Sequence, residues 1–177
     1  MGVNVLPHPL LFALAGAALL TLSACGQRSE PLDPSANQEV STESPSTQGA
    51  PSKSGWITSY EKGQQEAKAS NKLVLLDFTG SDWCGWCKLL DREVFSKPQF
   101  KEYADKNLVL VELDFPKTKP MPAETRAQNT RLARQYQVAG FPTIILLNGD
   151  GRVVGALGYV EGGPDAFIAE LEKMRKG

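Results

Sequence analysis

Residues 54–177 predict an α/β fold, a mixed four-stranded sheet flanked by helices. Three observations predict it. Two β-favouring runs, 73–78 and 108–113, are separated by helical patterns, so they should pair in parallel through right-handed crossovers. Two further strand patterns, 143–147 and 152–157, flank Asn148-Gly149-Asp150-Gly151, a strong hairpin signal. A cysteine pair, Cys84 and Cys87, stands where the first strand passes into a helix.

The elements follow in order. Tyr60, Gln64, Ala67 and Ala69 give a weak helical pattern, and a helix is expected over 59–70, ended by Asn71-Lys72. The run 73–78 is continuous enough for a central strand buried on both faces, and only Asp77 interrupts it. Thr79-Gly80-Ser81-Asp82 is the turn into the next helix, with Ser81 or Asp82 able to cap it. Cys87, Leu90 and Val94 recur at helical spacing and bury one face. Ser96-Lys97-Pro98-Gln99 reads as a fresh start, a capping serine with Gln three residues on, and Phe100, Tyr103 and Ala104 form its inner side. Three prolines make 115–122 a loop. A helix over 123–136 turns Ala127, Leu132, Ala133 and Tyr136 inward, and a last helix over 164–176 carries the stripe Phe167, Ile168, Leu171, Met174. Glu61, Lys62, Glu66 and Lys68 read as a solvated face.

The chain carries 19 basic and 20 acidic residues, a balance that implies neither nucleic acid nor an anionic membrane surface as partner. Three cysteines are too few for a disulfide scaffold, and they divide into the pair and a lone Cys25. Residues 10–22 are almost wholly apolar, short for a membrane span and suited to the core of a secretory signal. Leu22-Ser23-Ala24-Cys25 resembles the lipobox of bacterial lipoproteins. That resemblance implies a signal peptide over 1–24 and a lipid on Cys25. No Lys or Arg precedes the apolar run, and an ordinary signal peptide or a short uncleaved anchor stays open; each of these exports the domain. Gly26 is not the aspartate that retains some lipoproteins at the inner membrane, which points to an outer-membrane address facing the periplasm. Residues 27–53 are rich in Ser, Pro, Thr, Gln and Glu with almost no large apolar residue, so 25–53 is expected to be a disordered tether. Its root-mean-square reach would be roughly 30 Å.

The order of elements, with Asp77-Phe78 closing the first strand, Trp83-Cys84-Gly85-Trp86-Cys87-Lys88 opening the helix and Gly140-Phe141-Pro142-Thr143 before the hairpin, resembles the thioredoxin fold over 56–177. The segment around the cysteines is more similar to secreted bacterial thioredoxin-like proteins and disulfide isomerase domains than to small cytoplasmic thioredoxins. Trp86 stands where the latter have proline, and one extra residue separates Phe78 from Trp83. Both changes alter the turn beside the cysteines.

The resemblance implies a thiol–disulfide oxidoreductase acting on protein thiols or disulfides. Cys84, at the helix start, is the expected nucleophile and the more exposed sulfur. Cys87 resolves the mixed disulfide and closes the Cys84–Cys87 redox disulfide. Asp77 is the expected proton acceptor for Cys87, unless the extra residue carries it away from the site. Pro142 is the expected cis-proline; with Phe141 and Thr143 it would offer backbone groups to an extended substrate, the alternative being a trans-proline at a strand start. Trp83 and Trp86 flank the cysteines as groove residues or as packing. Lys88 favours a thiolate weakly, and Asp82 opposes it in sign. No cofactor and no metal are called for: His8 is the only histidine, and two thiolates do not complete a tetrahedral site. The expected partners are protein thiols or disulfides and a membrane or extracytoplasmic redox partner, with the chain a monomer that meets the membrane only through its lipid. Reductase, oxidase and isomerase directions stay open, as does a protein-binding module with a locked, non-catalytic disulfide.

Overall fold

A computed structural model describes residues 53–176. The signal peptide, Cys25 and the tether up to residue 52 lie outside the described residues.

Strands β1 (Leu73–Thr79), β2 (Leu108–Asp114), β3 (Thr143–Leu147) and β4 (Val153–Leu157) form one sheet in the order β2-β1-β3-β4. The β1–β2 pair is parallel, while β3 runs antiparallel to both β1 and β4. The mixed sheet and the hairpin are as the sequence predicts. Helices α1 (Tyr60–Ser70), α2 (Gly85–Leu90), α3 (Pro98–Asn107), α4 (Ala123–Gln135) and α5 (Gly163–Lys176) cover it.

Because strand side chains alternate, β1 feeds two cores. Val74, Leu76 and Phe78 join Ala67, Val111, Leu113 and Leu132 on one face. Leu75 joins Leu90, Phe95, Phe100, Ile144 and Phe167 on the other. Each of the buried Val, Leu, Ile and Phe side chains among them contributes about 1.5–3 kcal/mol. Asp77 shares the period of Leu75. It therefore points to the side of the sheet where the cysteine helix packs.

Local packing departs from the expected pattern in four places. In α1 the buried residues are Gly63 and Ala67, and Ala69 is exposed. A Cβ at Gly63 would lie 2.5 Å from Val111 Cγ2, so the missing side chain is what lets the helix approach β2. The cysteine helix gives way to a π-helical turn, Asp91–Phe95, in which both Val94 and Phe95 are buried. Ser96 does not cap α3; Lys97 holds the N-cap position without a side-chain bond, and Ser96 Oγ donates to the Arg92 carbonyl. Pro98 at the first turn starts the helix instead. In α4 the buried pair is Asn129 and Leu132, with Ala127 exposed, because Asn129 Nδ2 reaches the Asp114 carbonyl at 2.9 Å.

Before α1, residues 53–57 run as a strap along the free edge of β2. Ile57 N–H donates to the Leu110 carbonyl, and Glu112 N–H donates to the Ile57 carbonyl. Trp56 is buried beneath it against Phe95.

Candidate active site

Cys84 and Cys87 form a disulfide, with Cα atoms 5.3 Å apart. Cys84 is the N-cap of α2, and its Sγ accepts the Cys87 N–H at 3.2 Å. Neither Ser81 nor Asp82 caps this helix. The sulfur does so itself, placing it where unpaired backbone N–H groups favour negative charge. Taken as whole residues, both cysteines are 5% exposed in this disulfide-bonded state.

Asp82 has another task. Its carboxylate accepts from the backbone N–H groups of Lys117, Thr118 and Lys119 and from the Thr118 hydroxyl at 2.6 Å. The Thr118 hydroxyl and amide hold its pKa well below the usual carboxylate range. Ser81 is bound likewise, its N–H and Oγ both donating to Asp114. The turn before the cysteines is thus latched to the loop after β2. Lys88 donates to the Asp82 carbonyl at 2.8 Å, which ties its ammonium to the same turn. Replacing Asp82 with Ala should release the 116–119 loop. Hydrogen exchange at Lys117, Thr118 and Lys119 is expected to quicken by roughly tenfold or more, since several charge-assisted bonds are lost together. As the pKa is depressed, wild-type protection should persist as pH falls through the ordinary carboxylate range.

The aromatic residues divide into two groups. Trp83 is 40% exposed, lies over Gly80, and donates its indole N–H to the Phe115 carbonyl at 2.8 Å. Its ring meets Phe141 edge-on at 5.9 Å, and Phe141 stacks on Phe115 at 5.1 Å. The Phe141-Pro142 peptide bond is cis, as expected. Thr143 Oγ1 donates to the Gly140 carbonyl, so its hydroxyl holds the turn. The rings thereby join the Gly140–Thr143 turn to the cysteine segment. Trp86, 59% exposed, pairs with Tyr159 at 5.3 Å. Tyr159, whose hydroxyl donates to Glu93, and Phe115 carried no signal in the sequence beyond being aromatic.

Asp77 is 1% exposed. The extra turn residue has not displaced it from the sheet. Its partner in register across the parallel pair is Glu112, so two carboxylates stand side by side on one buried face. Lys53 answers them, its Nζ lying 3.2 Å from Asp77 Oδ2, 3.1 Å from Asp91 Oδ1 and 3.5 Å from Glu112 Oε1. Burial pushes the pKa of Asp77 and of Glu112 up, and Lys53 opposes both shifts. For Lys53 burial pulls downward, but Asp77, Glu112 and Asp91 outweigh it, so the ammonium stays charged. Sequence reasoning placed Lys53 in the tether and gave Glu112 and Asp91 no role. An acid inside each of two apolar strand runs was the available signal for Glu112.

A cavity of about 130 Å³ lies against this cluster, lined by Lys53, Thr79, Ser81, Cys87, Lys88 and Asp91. It has room for water. Cys87 and the Lys53 ammonium thus border one space. Among the described residues, no group of three or more His, Cys, Asp and Glu side chains is placed to hold a metal ion. Nor is any described helix long and apolar enough to cross a membrane.

The model of the thioredoxin-like domain family matches residues 60–175. The chain belongs to the thioredoxin-like family. Among its relatives in the family is the disulfide bond reductase DsbH of Chlamydia pneumoniae, 31% identical over 164 residues, which are 93% of this chain and 94% of that protein. The thioredoxin-related protein DsbJ of the same organism is 30% identical over 103 residues, 58% of this chain and 30% of that one. The solved structure of a DsbH oxidoreductase superposes with a TM-score of 0.64 at 34% identity, over 67% of this chain and 82% of that chain. A thioredoxin from Thermus thermophilus, at 23% identity and a TM-score of 0.52, shares the fold. With its Cys84-Gly85-Trp86-Cys87 disulfide at the start of α2, this thioredoxin-like chain is a thiol–disulfide oxidoreductase.

Proposed function

We propose that this domain reduces disulfides in exported proteins, held at the cell envelope by a lipid on Cys25. The observation that carries the reading is Cys84 at the helix N-cap with its sulfur accepting the Cys87 N–H. In the reduced form that position favours a thiolate. The thiolate attacks a substrate disulfide, one substrate sulfur leaves with the electron pair, and a mixed disulfide forms through Cys84. Cys87 gives its proton to Asp77 and attacks Cys84 Sγ. The second substrate sulfur then leaves as thiolate and takes up a proton. The dithiol is oxidised to the Cys84–Cys87 disulfide by two electrons as the substrate disulfide becomes two thiols.

The reductive direction is supported by the relative described as a disulfide bond reductase, matched over nearly the full length of both chains. In an oxidising compartment such a reductase needs a dithiol donor that draws electrons from across the membrane. The signal peptide over 1–24 and the lipidated tether that follows it supply the address, with the outer membrane favoured by Gly26. We assign substrate contact to Trp83, Phe141, Pro142 and Thr143 and to the Trp86–Tyr159 pair, and an extended segment can bond to the backbone of the cis turn; the ring contacts and the cis bond support this reading.

The test is the full chain carrying Cys87→Ala, which lacks the resolving sulfur. Expressed in a cell that exports it, it should accumulate mixed disulfides with exported cysteine proteins, visible as reductant-sensitive bands and absent when Cys84 is also replaced. Absence of trapped species, with the variant folded, would defeat the proposal.

A further inference from the structure

Asp77 and Glu112 sit side by side by strand register, and Asp77 Oδ1 is buried without a hydrogen-bond partner. Two buried carboxylates at that spacing oppose each other's ionisation. A neutral Asp77 cannot take a proton from Cys87. Something must therefore hold one carboxylate ionised in a buried site, and that group comes from outside the sheet. We propose that Lys53, carried on the strap before α1, is a positioning residue of the redox site whose ammonium keeps Asp77 ready to accept the Cys87 proton.

The geometry makes this ammonium a fixed charge. The Lys53 carbonyl accepts the Trp56 N–H at 3.0 Å, and Ile57 is bonded on both sides to β2. The Nζ lies 4.7 Å from the centre of the Trp56 ring and 5.1 Å from that of Phe95. It contacts three carboxylates supplied by three elements: Asp77 of β1, Asp91 of the π-helical turn and Glu112 of β2. Asp114 of β2 adds a more distant negative charge, and Lys88 of α2 is the other cation beside Cys87. Lys53 also lines two cavities. One is the 130 Å³ space that reaches Cys87. The other, of about 510 Å³, is bordered by Glu112, Asp114, Lys119, Met121 and Asn129 on the side of the loop after β2. Lys53 thus borders both the space that reaches Cys87 and a second one on the Glu112 side. In the step itself the Cys87 S–H bond breaks, its proton goes to the Asp77 carboxylate and the sulfur keeps the electron pair. No electron moves until the thiolate attacks Cys84.

The inference rests on Cys87 as resolving sulfur and Asp77 as its proton acceptor. The test uses the full chain with Cys25→Ser, so that the redox pair alone reacts. The reduced protein is mixed with an aromatic disulfide reagent that releases one coloured thiolate when Cys84 attacks and a second when Cys87 resolves. Both phases are followed across pH. In Lys53→Met the midpoint of the second phase should move up by about one pH unit, making that phase about tenfold slower at neutral pH. Lys53→Arg, which keeps the charge, should restore most of the rate. Lys53→Gln serves the same purpose if the methionine variant does not fold. A folded, charge-removed variant with an unmoved second-phase midpoint would overturn the role of Lys53. If Asp77→Asn also leaves that midpoint unmoved, the relay itself is wrong. If only Asp77→Asn moves it, the relay stands and Lys53 is a structural tie.

Discussion

Replacing Cys84 with serine should lower disulfide reduction to the uncatalysed background, a fall of more than about 10³-fold, the scale of losing a covalent nucleophile. The prediction isolates chemistry from folding. Serine is a favoured N-cap, and its Oγ can accept the Cys87 N–H that Cys84 Sγ accepts now. Helix α2 should therefore keep its start, and the thermal midpoint of the reduced protein should stay close to that of the reduced wild type. What disappears is a thiol whose thiolate form the helix N-terminus favours. A hydroxyl there remains protonated and cannot form the mixed disulfide. Reduction of a protein disulfide by the variant, with dithiothreitol as electron source, is the measurement. A residual rate above a tenth of wild type would mean that Cys87, which borders the 130 Å³ cavity, attacks first.

Replacing Asp77 with asparagine should do two opposite things. Turnover at neutral pH should fall by about 10²-fold, within the range for loss of a general base. The deficit should shrink as pH rises and Cys87 ionises unaided. Stability should move the other way. Burial raises the pKa of Asp77 above its unfolded value, so the neutral form is the one the fold prefers. Below the unfolded pKa the carboxyl is neutral in both states and the substitution gains nothing. As pH rises from the unfolded to the raised folded pKa, wild type loses stability while the asparagine variant does not. Above that window the variant should be the more stable, by about 1.4 kcal/mol for each unit by which the pKa is raised. Lys53 keeps Asp91 and Glu112 as partners in the variant, so its ammonium is not orphaned. Denaturant unfolding of the oxidised protein at several pH values measures this. A variant less stable than wild type at alkaline pH would show that Asp77 is held as a net stabilising ion.

Much of the site was legible because its signals are local. The cysteine spacing, the strand before it and the helical pattern after it lie within one stretch, and so does the Gly140-Phe141-Pro142-Thr143 turn. Asp77 was visible as an acid inside an apolar run. Cap assignments near the cysteines were misread for a physical reason. Ser81 and Asp82 are both good caps in isolation, but each found better donors across the molecule: Ser81 gives to Asp114, and Asp82 takes from the 117–119 backbone. In α4 the expected face is the one that packs, through Leu132, Ala133 and Tyr136, but Ala127 is exposed and Asn129 is turned inward by a carbonyl on β2 that no helical periodicity reveals.

The sequence by itself determined the class of fold and the cysteine pair at a helix start, since alternation, helical spacing and hairpin turns are properties of neighbouring residues; the cis turn at Pro142 followed from the family resemblance and not from local pattern. Tertiary structure alone decided the electrostatics. Glu112 stands beside Asp77 because of the register of a parallel strand pair, and Lys53 reaches both because a short strap hydrogen-bonds along the edge of β2. Charges that face one another across packed elements are set by how distant segments meet, and no local pattern in the chain encodes their separation.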